Sequence, residues 1–548
     1  MNNGKICVSV CAEKASEFIE KIERAAKIAD IIELRFDCLE ENGFENVLAK
    51  IEGLMKSIKN PFLATCRPQN KDAHFLFGKG VYKSKAQLDR AVSEQNKRIS
   101  KWKKIFCASN FAFIDFEEDL MFELLSSDPL SLFDESEIRD LKKSKVLYSE
   151  HFFDVTNLRI RFKGIYRNLT NEKLQHNEIK SRTAKIAVQA NDVTDGLELI
   201  KLLAQAKSEN KELIPIAMGE HGIWTRILGL SRGAFMTFAS LDDESATAPG
   251  QLTAEEMINV YRVKELDENT EIYGLVAGAT AHSVSPQMHN AAFKFHNLNA
   301  VYVPFAVKNL EEFIHRMVNP KTQEIDWKLR GLSVTIPHKI EIIKYLDFVD
   351  ETARQIGAVN TVKIVGDELH GFNTDAAGFI EPLKNAYGDL KNAKVAVFGA
   401  GGAARAVVYA LKNDGAEITV FARDLAKAED LKNDFGVEIK LINDYQSPTV
   451  NYNIMINTTP LGMKKGGMEN DTPLTAEQLE GVKLVYDLVY NPFETRLIKE
   501  AQSVFVPTIG GLAMLVAQAI EQQKIWTGLD APVKEMNQAA LKKLSREN

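Results

Sequence analysis

The chain has 548 residues, of which 45% are hydrophobic and 26% are charged, so its composition is that of an ordinary globular protein. Its net charge of -7 leaves no basic surface for nucleic acid or for an anionic membrane, and no apolar run approaches the ~18 residues that a membrane span needs. The N-terminal stretch resembles neither a secretory signal nor an Arg-rich transit peptide, which predicts a cytoplasmic protein. We expect small-molecule partners, and a monomer or homodimer, between which the sequence does not decide.

Short β-rich runs alternate with charged helical stretches over residues 1–240. Strands that alternate with helices indicate a parallel sheet, and eight such units in about 250 residues predict an α/β fold of the (β/α)8 barrel type. An open doubly wound sheet is the alternative that the pattern leaves. The runs begin at Lys5, Asp30, Phe62, Phe111, Lys145, Ala184, Leu213 and Ala234.

All five cysteines lie in the first fifth of the chain, and no two of them form a CxxC pair. No residue set with zinc-ligand spacing joins them, so we predict no metal site. We expect small buried hydrophobic side chains of a protein from a reducing compartment. They are Cys7, Cys11, Cys38, Cys66 and Cys107.

Charged and polar side chains follow the predicted strands at the ends where a barrel carries its catalytic groups. Lys185 stands inside the apolar run AKIAVQA, where a charged amine is costly. A buried lysine is a nucleophile toward ketones, although a lysine whose stem reaches solvent from an edge strand is the alternative. The other candidates are Glu33, Arg35, Arg67, Glu117, His151, Arg226 and Gln251.

A series of motifs runs through the first half in the order IIELRFD, LATCRP, FIDFEE, SEHFF, AKIAVQAND, WTRILG and TAPGQL. With these motifs, residues 4–252 resemble type I 3-dehydroquinate dehydratase. The resemblance implies that Lys185 forms a covalent Schiff base with the C3 ketone of dehydroquinate, and that His151, oriented by Glu117, transfers the protons. It also implies that Arg226 pairs with the substrate carboxylate. Positioning, pocket or lid roles are implied for Glu33, Arg35, Arg67, Met218, Phe238, Thr247 and Gln251.

Two segments depart from the usual pattern of that family. PQNKDAHFLFGKG follows Arg67 where many members carry an acidic and double-glycine run, and residues 121–143 are longer than expected between the fourth and fifth strands. These departures affect the expected loop contacts and leave the assignments of Lys185 and His151 in place.

The stretch LTAEEMINVYRVKELDENTEIYGLVAGA has the pattern of a closing helix, a charged linker and a new first strand. We therefore place a boundary near Asp267, with residues 1–266 in the first domain and residues 267–548 in the second. In the second domain we expect a substrate lobe (271–374 and 496–548) and a nucleotide-binding lobe (375–495).

A dinucleotide fingerprint lies in the second half, where the strand KVAVF runs into GAGGAA and a helical ARAVVYALKNDG. Gly399 permits the tight turn, Gly401 lets the backbone approach a pyrophosphate, and Ala404 allows close helix–strand packing. The helix N-terminus supplies N–H groups and a favourable dipole for phosphate. We predict a Rossmann-like lobe that binds its cofactor through Gly399, Ala400, Gly401, Gly402 and Ala403.

The second strand of this lobe ends in Ala422, Arg423 and Asp424. An acidic residue at this distance would bind the ribose hydroxyls of NAD, whereas a guanidinium suits the 2′-phosphate of NADP. We therefore predict NADP, held in part by Arg423, and a helix N-cap role for Asp424.

Further motifs surround the fingerprint in the order AHSVSPQMHN, GLSVTIPHK, IGAVNTV, GFNTDAAGF, NTTPLGM, YDLVYNPFETRLI and GGLAMLVAQAIEQQKIWTG. With these motifs, residues 271–548 resemble shikimate dehydrogenase. The resemblance implies that Lys339 donates the proton during hydride transfer to a ketone and that Asp375 holds it. Without the flanking motifs, a surface salt bridge would be the alternative for that pair. Substrate contacts are implied at Ser283, Ser285, Thr335, Asn360, Tyr490 and Gln518, and cofactor contacts at Thr458 and Gly510.

Ser333 stands where many members of that family carry Asn before VTxPxK. Serine also donates and accepts a hydrogen bond, so we expect this change to affect how the ring is held. Together the resemblances imply a bifunctional enzyme that dehydrates 3-dehydroquinate and then reduces 3-dehydroshikimate to shikimate with NADPH. The alternatives are an NAD-linked quinate or shikimate dehydrogenase in the second domain and a sensor without catalysis, against which the intact catalytic side chains argue.

Overall fold

A computed structural model describes residues 2–68, 85–117, 143–152, 183–445, 452–464 and 467–547, with a few positions between 120 and 164. The chain divides into two compact units, Met1–Thr270 and Glu271–Asn548. The division falls after Thr270 rather than after Leu266, where the linker pattern predicted it. Most of residues 121–143 and of PQNKDAHFLFGKG lies outside the described residues, so the two departures noted there stay predictions.

The first unit contains an eight-stranded parallel sheet in which β1 to β7 pair in chain order and β1 also pairs with β8. This circular order confirms the predicted barrel and excludes the open doubly wound sheet. Within the described strands, no ladder joins β7 to β8. The strands are β1 (Lys5–Val10), β2 (Ile31–Arg35), β3 (Phe62–Thr65), β4 (Phe113–Glu117), β5 (Lys145–Phe152), β6 (Thr183–Gln189), β7 (Glu212–Met218) and β8 (Met236–Ser240).

The barrel interior is apolar at one level and polar at the next. Phe113, Leu147 and Ala187 belong to a single buried cluster inside the barrel. Because side chains alternate along a strand, the residues two positions away point inward as well, which brings polar residues of β4, β5 and β6 to the same interior. The described helices of this unit are α1 (Ala15–Ala25), α2 (Glu41–Ser57), α3 (Lys85–Ala108), α4 (Gly196–Ser208), α5 (Ile223–Leu228) and α6 (Ala254–Asn259).

The cysteines differ in part from the prediction. Cys11 and Cys38 form a disulfide, with Cα atoms 5.5 Å apart, that links the segment after β1 to the 3-10 turn after β2. Cys7 and Cys66 are buried, as predicted, whereas Cys107 is exposed. Parallel neighbouring strands end at the same edge of the sheet, which is why residues distant in sequence meet here.

The second unit begins with a mixed six-stranded sheet in the order β10-β9-β11-β13-β14-β12. β9, β10 and β11 are parallel, whereas β13 runs antiparallel to β11 and to β14. Its strands are β9 (Glu271–Ala277), β10 (Ala300–Ala306), β11 (Leu329–Val334), β12 (Phe348–Val349), β13 (Thr361–Val365) and β14 (Glu368–Phe372), and its helices α7 (Ser285–Phe295), α8 (Leu310–Phe313) and α9 (Glu351–Ile356).

A second six-stranded sheet follows, all parallel, in the order β17-β16-β15-β18-β19-β20. Counted within this lobe, the order is 3-2-1-4-5-6, that of a dinucleotide-binding fold, which confirms the predicted Rossmann-like lobe. Its elements are α10 (Asp375–Tyr387), β15 (Lys394–Phe398), α11 (Gly402–Asn413), β16 (Glu417–Ala422), α12 (Leu425–Phe435), β17 (Glu438–Leu441), β18 (Ile454–Asn457), β19 (Leu484–Asp487), α13 (Arg496–Ser503) and β20 (Thr508–Ile509).

The boundary predicted at residue 496 between the two lobes is wrong. Strand β20 pairs with β19, so the nucleotide-binding sheet extends to Ile509 and includes the connecting α13. The chain returns to the substrate lobe through α14 (Gly511–Thr527) and α15 (Val533–Glu547), which pack against α10 and α7 respectively. Among the described residues, no helix is long and apolar enough to cross a membrane.

Candidate active sites

Lys185 lies inside the barrel with a relative exposure of 2%. Its Nζ donates to Oδ2 of Asp115 at 2.8 Å and stands 4.2 Å from the centre of the Phe238 ring. Burial raises the pKa of the Asp115 carboxyl, but the charges of Lys185 and Arg67 outweigh burial, so its pKa lies below the usual range. The lysine is therefore an interior residue, and the alternative of a stem that reaches solvent is excluded.

His151 and Glu117 end the neighbouring strands β5 and β4. The structure brings the predicted pair together, with Nδ1 of His151 3.5 Å from Oε1 of Glu117. Buried Arg98 of α3, which the sequence did not single out, places Nη1 3.4 Å from Oε2 of Glu117. The carboxylate thus lies between a guanidinium and an imidazole, an arrangement that supports positive charge on His151.

The two predicted residues of β2, Glu33 and Arg35, form hydrogen bonds with neighbouring side chains. Glu33 accepts hydrogen bonds from the hydroxyls of Ser9 at 2.5 Å and Thr65 at 2.9 Å. Arg35 forms a two-point contact with Asp37, from Nε at 3.0 Å and from Nη2 at 2.7 Å. Burial raises the pKa of the Asp37 carboxyl, but Arg35 outweighs it and holds that pKa below its usual range. Both side chains are therefore engaged by hydrogen bonds within the protein.

Two arginines at this end of the barrel retain nitrogens that the described residues leave without a hydrogen-bond acceptor. They are Nε of Arg67 and both Nε and Nη2 of Arg226. Arg226 is 1% exposed, its Nη1 donates to the Phe238 carbonyl at 3.4 Å, and burial lowers its pKa to about 10. Buried guanidinium donors without partners suit a carboxylate ligand.

The predicted lid residues after β8 contact one another. The backbone N–H and the hydroxyl of Thr247 both donate to Oε1 of Gln251, at 2.8 and 3.2 Å. Met218, at the end of β7, is half-buried beside this region. No group of three or more potential metal ligands occurs among the described residues.

In the second unit, Nζ of Lys339 donates to Oδ2 of Asp375 at 2.6 Å. Both side chains are largely withdrawn from solvent, with exposures of 13% and 6%, so the pair is no surface salt bridge. Asn360 donates to the other oxygen of Asp375 at 2.9 Å and to Oε1 of Gln518 at 3.3 Å. The structure therefore brings four predicted residues together in one hydrogen-bonded group.

Hydroxyl groups line the adjoining part of this pocket. Ser283 and Ser285 lie together at the start of α7, where the hydroxyl of Ser283 accepts from the Ser285 backbone N–H at 3.1 Å. The hydroxyl of Tyr302 is buried near those of Ser285 and Ser333 and makes no hydrogen bond within the part of the chain that the structure describes. Its ring stacks on His289 at 4.4 Å, and burial lowers the pKa of His289 to about 3. His289 is therefore a neutral packing residue.

The backbone at the dinucleotide fingerprint fits a bound pyrophosphate. Gly399 has φ of 116°, and a Cβ there would lie 2.4 Å from the hydroxyl of Thr458. Beside Gly401, by contrast, a Cβ would meet no atom within 4 Å. Helix α11 starts at Gly402 without a side-chain cap, so its first N–H groups can bind a phosphate. Gly510 precedes α14 as its N-cap.

Arg423 and Asp424 follow β16 at the edge where the ribose of a dinucleotide lies. Asp424 accepts from the backbone N–H of Ala426 at 3.0 Å, which confirms it as the N-cap of α12. Its carboxylate is thereby engaged with the helix, whereas Arg423 is exposed. The arrangement suits a 2′-phosphate better than a 2′-hydroxyl.

Tyr490 stands on the loop after β19, which a buried carboxylate organises. Asp487 accepts from Asn457 at 2.9 Å, from Thr495 at 2.5 Å and from the backbone N–H of Val489 at 3.1 Å. Burial raises the pKa of Asp487 to about 6 despite these bonds. This position escaped the sequence prediction, although an aspartate ending an apolar strand is a usable signal.

Comparison with known proteins finds similarity in both units. Residues 6–268 match the type I 3-dehydroquinase family. Residues 275–362 match the shikimate dehydrogenase substrate binding domain, residues 381–463 match shikimate / quinate 5-dehydrogenase, and residues 511–541 match the shikimate 5'-dehydrogenase C-terminal domain.

Individual relatives show the same division. The chain is 29% identical over 552 residues to the chloroplastic bifunctional 3-dehydroquinate dehydratase/shikimate dehydrogenase of Arabidopsis thaliana, covering 97% of this chain and 83% of that protein. It is 39% identical to the shikimate dehydrogenase (NADP(+)) of Methanococcus aeolicus, over 50% of this chain and 99% of that protein. The corresponding enzyme of Methanocaldococcus jannaschii is 41% identical, over 51% of this chain and all of its own length.

Proposed function

We propose that this chain, which belongs to the type I 3-dehydroquinase family in its first unit and to the shikimate dehydrogenase family in its second, catalyses two consecutive steps on one carbocyclic acid. The first unit dehydrates 3-dehydroquinate to 3-dehydroshikimate. The second reduces 3-dehydroshikimate to shikimate with NADPH. The observation that carries the proposal is the presence of two separate buried lysine–aspartate pairs, Lys185–Asp115 and Lys339–Asp375, each beside proton-transfer or hydroxyl-binding groups.

In the barrel, Lys185 attacks the C3 ketone of dehydroquinate and loses water to form a protonated imine. The positive imine acidifies the adjacent C–H bond, whose proton His151 removes. The same imidazole then protonates the departing hydroxyl, and hydrolysis of the imine releases the product and the lysine. Glu117 supports the charge on His151, and Arg226 binds the substrate carboxylate through its unpaired nitrogens.

In the second unit, Lys339 gives a proton to the carbonyl oxygen of dehydroshikimate, while Asp375 orients the lysine and a ring hydroxyl. Ser283 and Ser285 bind the carboxylate as neutral donors, and Thr335, Asn360, Gln518 and Tyr490 surround the ring. NADPH, when bound across Gly399–Ala403 with its 2′-phosphate at Arg423, supplies the hydride. Thr458 and Gly510 line the same cleft.

A coupled assay tests the two activities together. The protein is given 3-dehydroquinate and NADPH, and nicotinamide absorbance is followed. We expect consumption of NADPH with 3-dehydroquinate and also with 3-dehydroshikimate. Consumption of NADPH with 3-dehydroshikimate but not with 3-dehydroquinate would rule out the proposed dehydratase activity. No consumption with either substrate would rule out both proposed activities.

Chemical trapping tests the covalent step separately. Borohydride added with 3-dehydroquinate should reduce the imine and leave the ligand's mass on Lys185. Lys185→Met should abolish both labelling and dehydration while the reduction of 3-dehydroshikimate continues. An unlabelled Lys185 in a protein that still dehydrates would sink the Schiff-base mechanism.

A further inference from the structure

Gln522 is a buried residue to which neither the motifs nor the chemistry above gives a role. It lies on α14 with a relative exposure of 1% and reaches between β11 and the start of β13. Its Oε1 accepts from the Ser333 hydroxyl at 2.8 Å. Its Nε2 donates to the Asn360 carbonyl at 3.1 Å and to the Thr361 hydroxyl at 3.0 Å. Every polar atom of this side chain is thus engaged.

The direction of these hydrogen bonds is set by the backbone carbonyl of Asn360. The backbone carbonyl of Asn360 can only accept, so the amide nitrogen of Gln522 must face it. The amide oxygen must then face Ser333. The Ser333 hydroxyl has one proton, which it donates to Oε1 of Gln522. Toward its other neighbours this hydroxyl can therefore only accept hydrogen bonds.

The same constraint continues through Thr361. Its hydroxyl accepts from Gln522 and donates to Oδ1 of Asn360 at 2.8 Å, where the backbone N–H of Thr374 also donates at 2.8 Å. The Asn360 amide nitrogen is consequently directed toward Asp375. One buried glutamine is linked in this way to two side chains of the ring-binding pocket.

We propose that Gln522 is a specificity-determining positioning residue that makes Ser333 a hydrogen-bond acceptor toward the bound ring. This inference rests on the proposed dehydrogenase function. Ser333 lies on β11, two residues before Thr335, and pairs across the sheet with Thr361 of β13. An acceptor there binds a ring hydroxyl, which can donate, and repels a ketone or carboxylate oxygen, which cannot. The substrate is thereby held with its ketone directed to Lys339.

The test compares steady-state reduction of 3-dehydroshikimate by the full-length protein and its variants. Gln522→Met preserves side-chain length and removes the acceptor, which frees the Ser333 proton. We expect KM for 3-dehydroshikimate to rise about tenfold, the value of one lost hydrogen bond, with kcat changed by less than about threefold. Gln522→Glu should keep a KM closer to that of wild type than Gln522→Met does, because its buried acid retains the acceptor toward Ser333 and one donor, which faces the Asn360 carbonyl.

Gln523→Met is the matched control. Gln523 is the next residue of α14 and is equally buried. It donates to His289, which Gln522 also contacts, but its hydrogen bonds among the described residues do not reach Ser333, Asn360 or Thr361. We expect this variant to lose stability while KM stays within about twofold of wild type. The dehydratase rate of each variant checks the integrity of the chain.

A double-mutant cycle separates positioning from a general packing effect. If Gln522 acts through Ser333, then Ser333→Ala and Ser333→Ala/Gln522→Met should share the same KM. Additive effects, or an unchanged KM in Gln522→Met, would overturn the inference while leaving the dehydrogenase function intact. A wild-type protein that fails to reduce 3-dehydroshikimate would instead overturn the proposed function.

Discussion

The ammonium group of Lys185 is paired with the carboxylate of Asp115 in the interior of the barrel. An isolated charge would be strongly disfavoured there, and breaking a buried pair by removing one partner is costly. The same carboxylate lies beside the nitrogen that carries positive charge in the imine. Asp115 is therefore placed to stabilise the cationic intermediate as well as the resting lysine.

Replacement of that carboxylate tests its role. In Asp115→Asn the imine forms without its nearby countercharge, so we expect kcat for dehydration to fall about a hundredfold. The rate of 3-dehydroshikimate reduction by the same preparation serves as the control and should not change. A dehydration rate equal to wild type would mean that the ion pair only fills the barrel.

Arg423 carries the cofactor preference at the scale of one side chain. Because its guanidinium is exposed at the end of β16 while Asp424 caps α12, Arg423→Ala should raise KM for NADPH about tenfold or more. KM for NADH, which lacks the 2′-phosphate, should change little and is the internal control. Equal losses with both cofactors would contradict the assignment.

Single residues differ in how far the sequence reveals them. Lys185 became a candidate because an amine inside an apolar run is conspicuous, but the run alone favoured a stem that reaches solvent, and the resemblance to a known family decided its role. Asp115 was not a candidate, since the run FIDFE has two acidic residues, and only the partner across the barrel distinguishes their roles. Gln522 was missed for a related reason, because α14 is buried on several sides and offers no polar face against which an inward glutamine would stand out.

At the scale of elements, the loop after β19 depends on a carboxyl that burial holds at an unusual pKa. Asp487 titrates at about 6 in the folded protein, above the ~3.9 of an unfolded aspartate. A folded pKa that is raised favours the protonated form, so its contribution to stability is greatest below about pH 4 and is lost as pH rises through about 6. The second unit should therefore lose stability across this window.

Asp487→Asn removes that titration. We measure the free energy of unfolding of the variant minus that of wild type. This difference should be about 1 kcal/mol more positive at pH 7.5 than at pH 5, because only wild type loses stability over this range. Urea unfolding followed through dehydrogenase activity measures the change, with the dehydratase activity as reference. A constant difference between variant and wild type at both pH values would show that Asp487 does not titrate in this range.

Elements were predicted well where they are long and poorly where they are short. The eight strands of the barrel and the strand before the fingerprint stand out as mainly apolar runs of four to eight residues. Strand β20 has two residues, Thr508 and Ile509, too few to show an alternation, and the lobe boundary was misplaced for that reason. The disulfide between Cys11 and Cys38 likewise depends on where two neighbouring strands end, which spacing alone does not give.

At the scale of the whole molecule, closure of the barrel is the feature that the sequence left open. A closed barrel and an open sheet share the same local pattern of strands and helices, and they differ in the pairing of β1 with β8. That pairing joins residues more than two hundred positions apart. The resemblance to a known family, rather than periodicity, therefore decided the fold of the first unit.

The two compact units predict that each activity survives alone. Residues 1–270 and 271–548 have separate cores and separate sites, so we expect the two fragments, produced independently, to dehydrate and to reduce at rates within about threefold of the full chain. Circular dichroism and the two assays measure the outcome. A fragment that folds but is inactive would show that its site needs the other unit.

The missing strand ladder between β7 and β8 has a consequence for local opening of the barrel. One backbone hydrogen bond remains at this seam, from the N–H of Phe235 just before β8 to the Leu213 carbonyl of β7 at 3.0 Å. Side chains of α5 supply the other contacts: Thr225 accepts from the backbone N–H of Ala217, and Arg226 donates to the Phe238 carbonyl. A contact made by side chains opens by rotamer changes, whereas a ladder opens only when strands separate. In deuterium exchange, amides at this seam should exchange by local opening, ahead of those of β1 to β6. The seam is then the place where the barrel mouth can widen without unfolding.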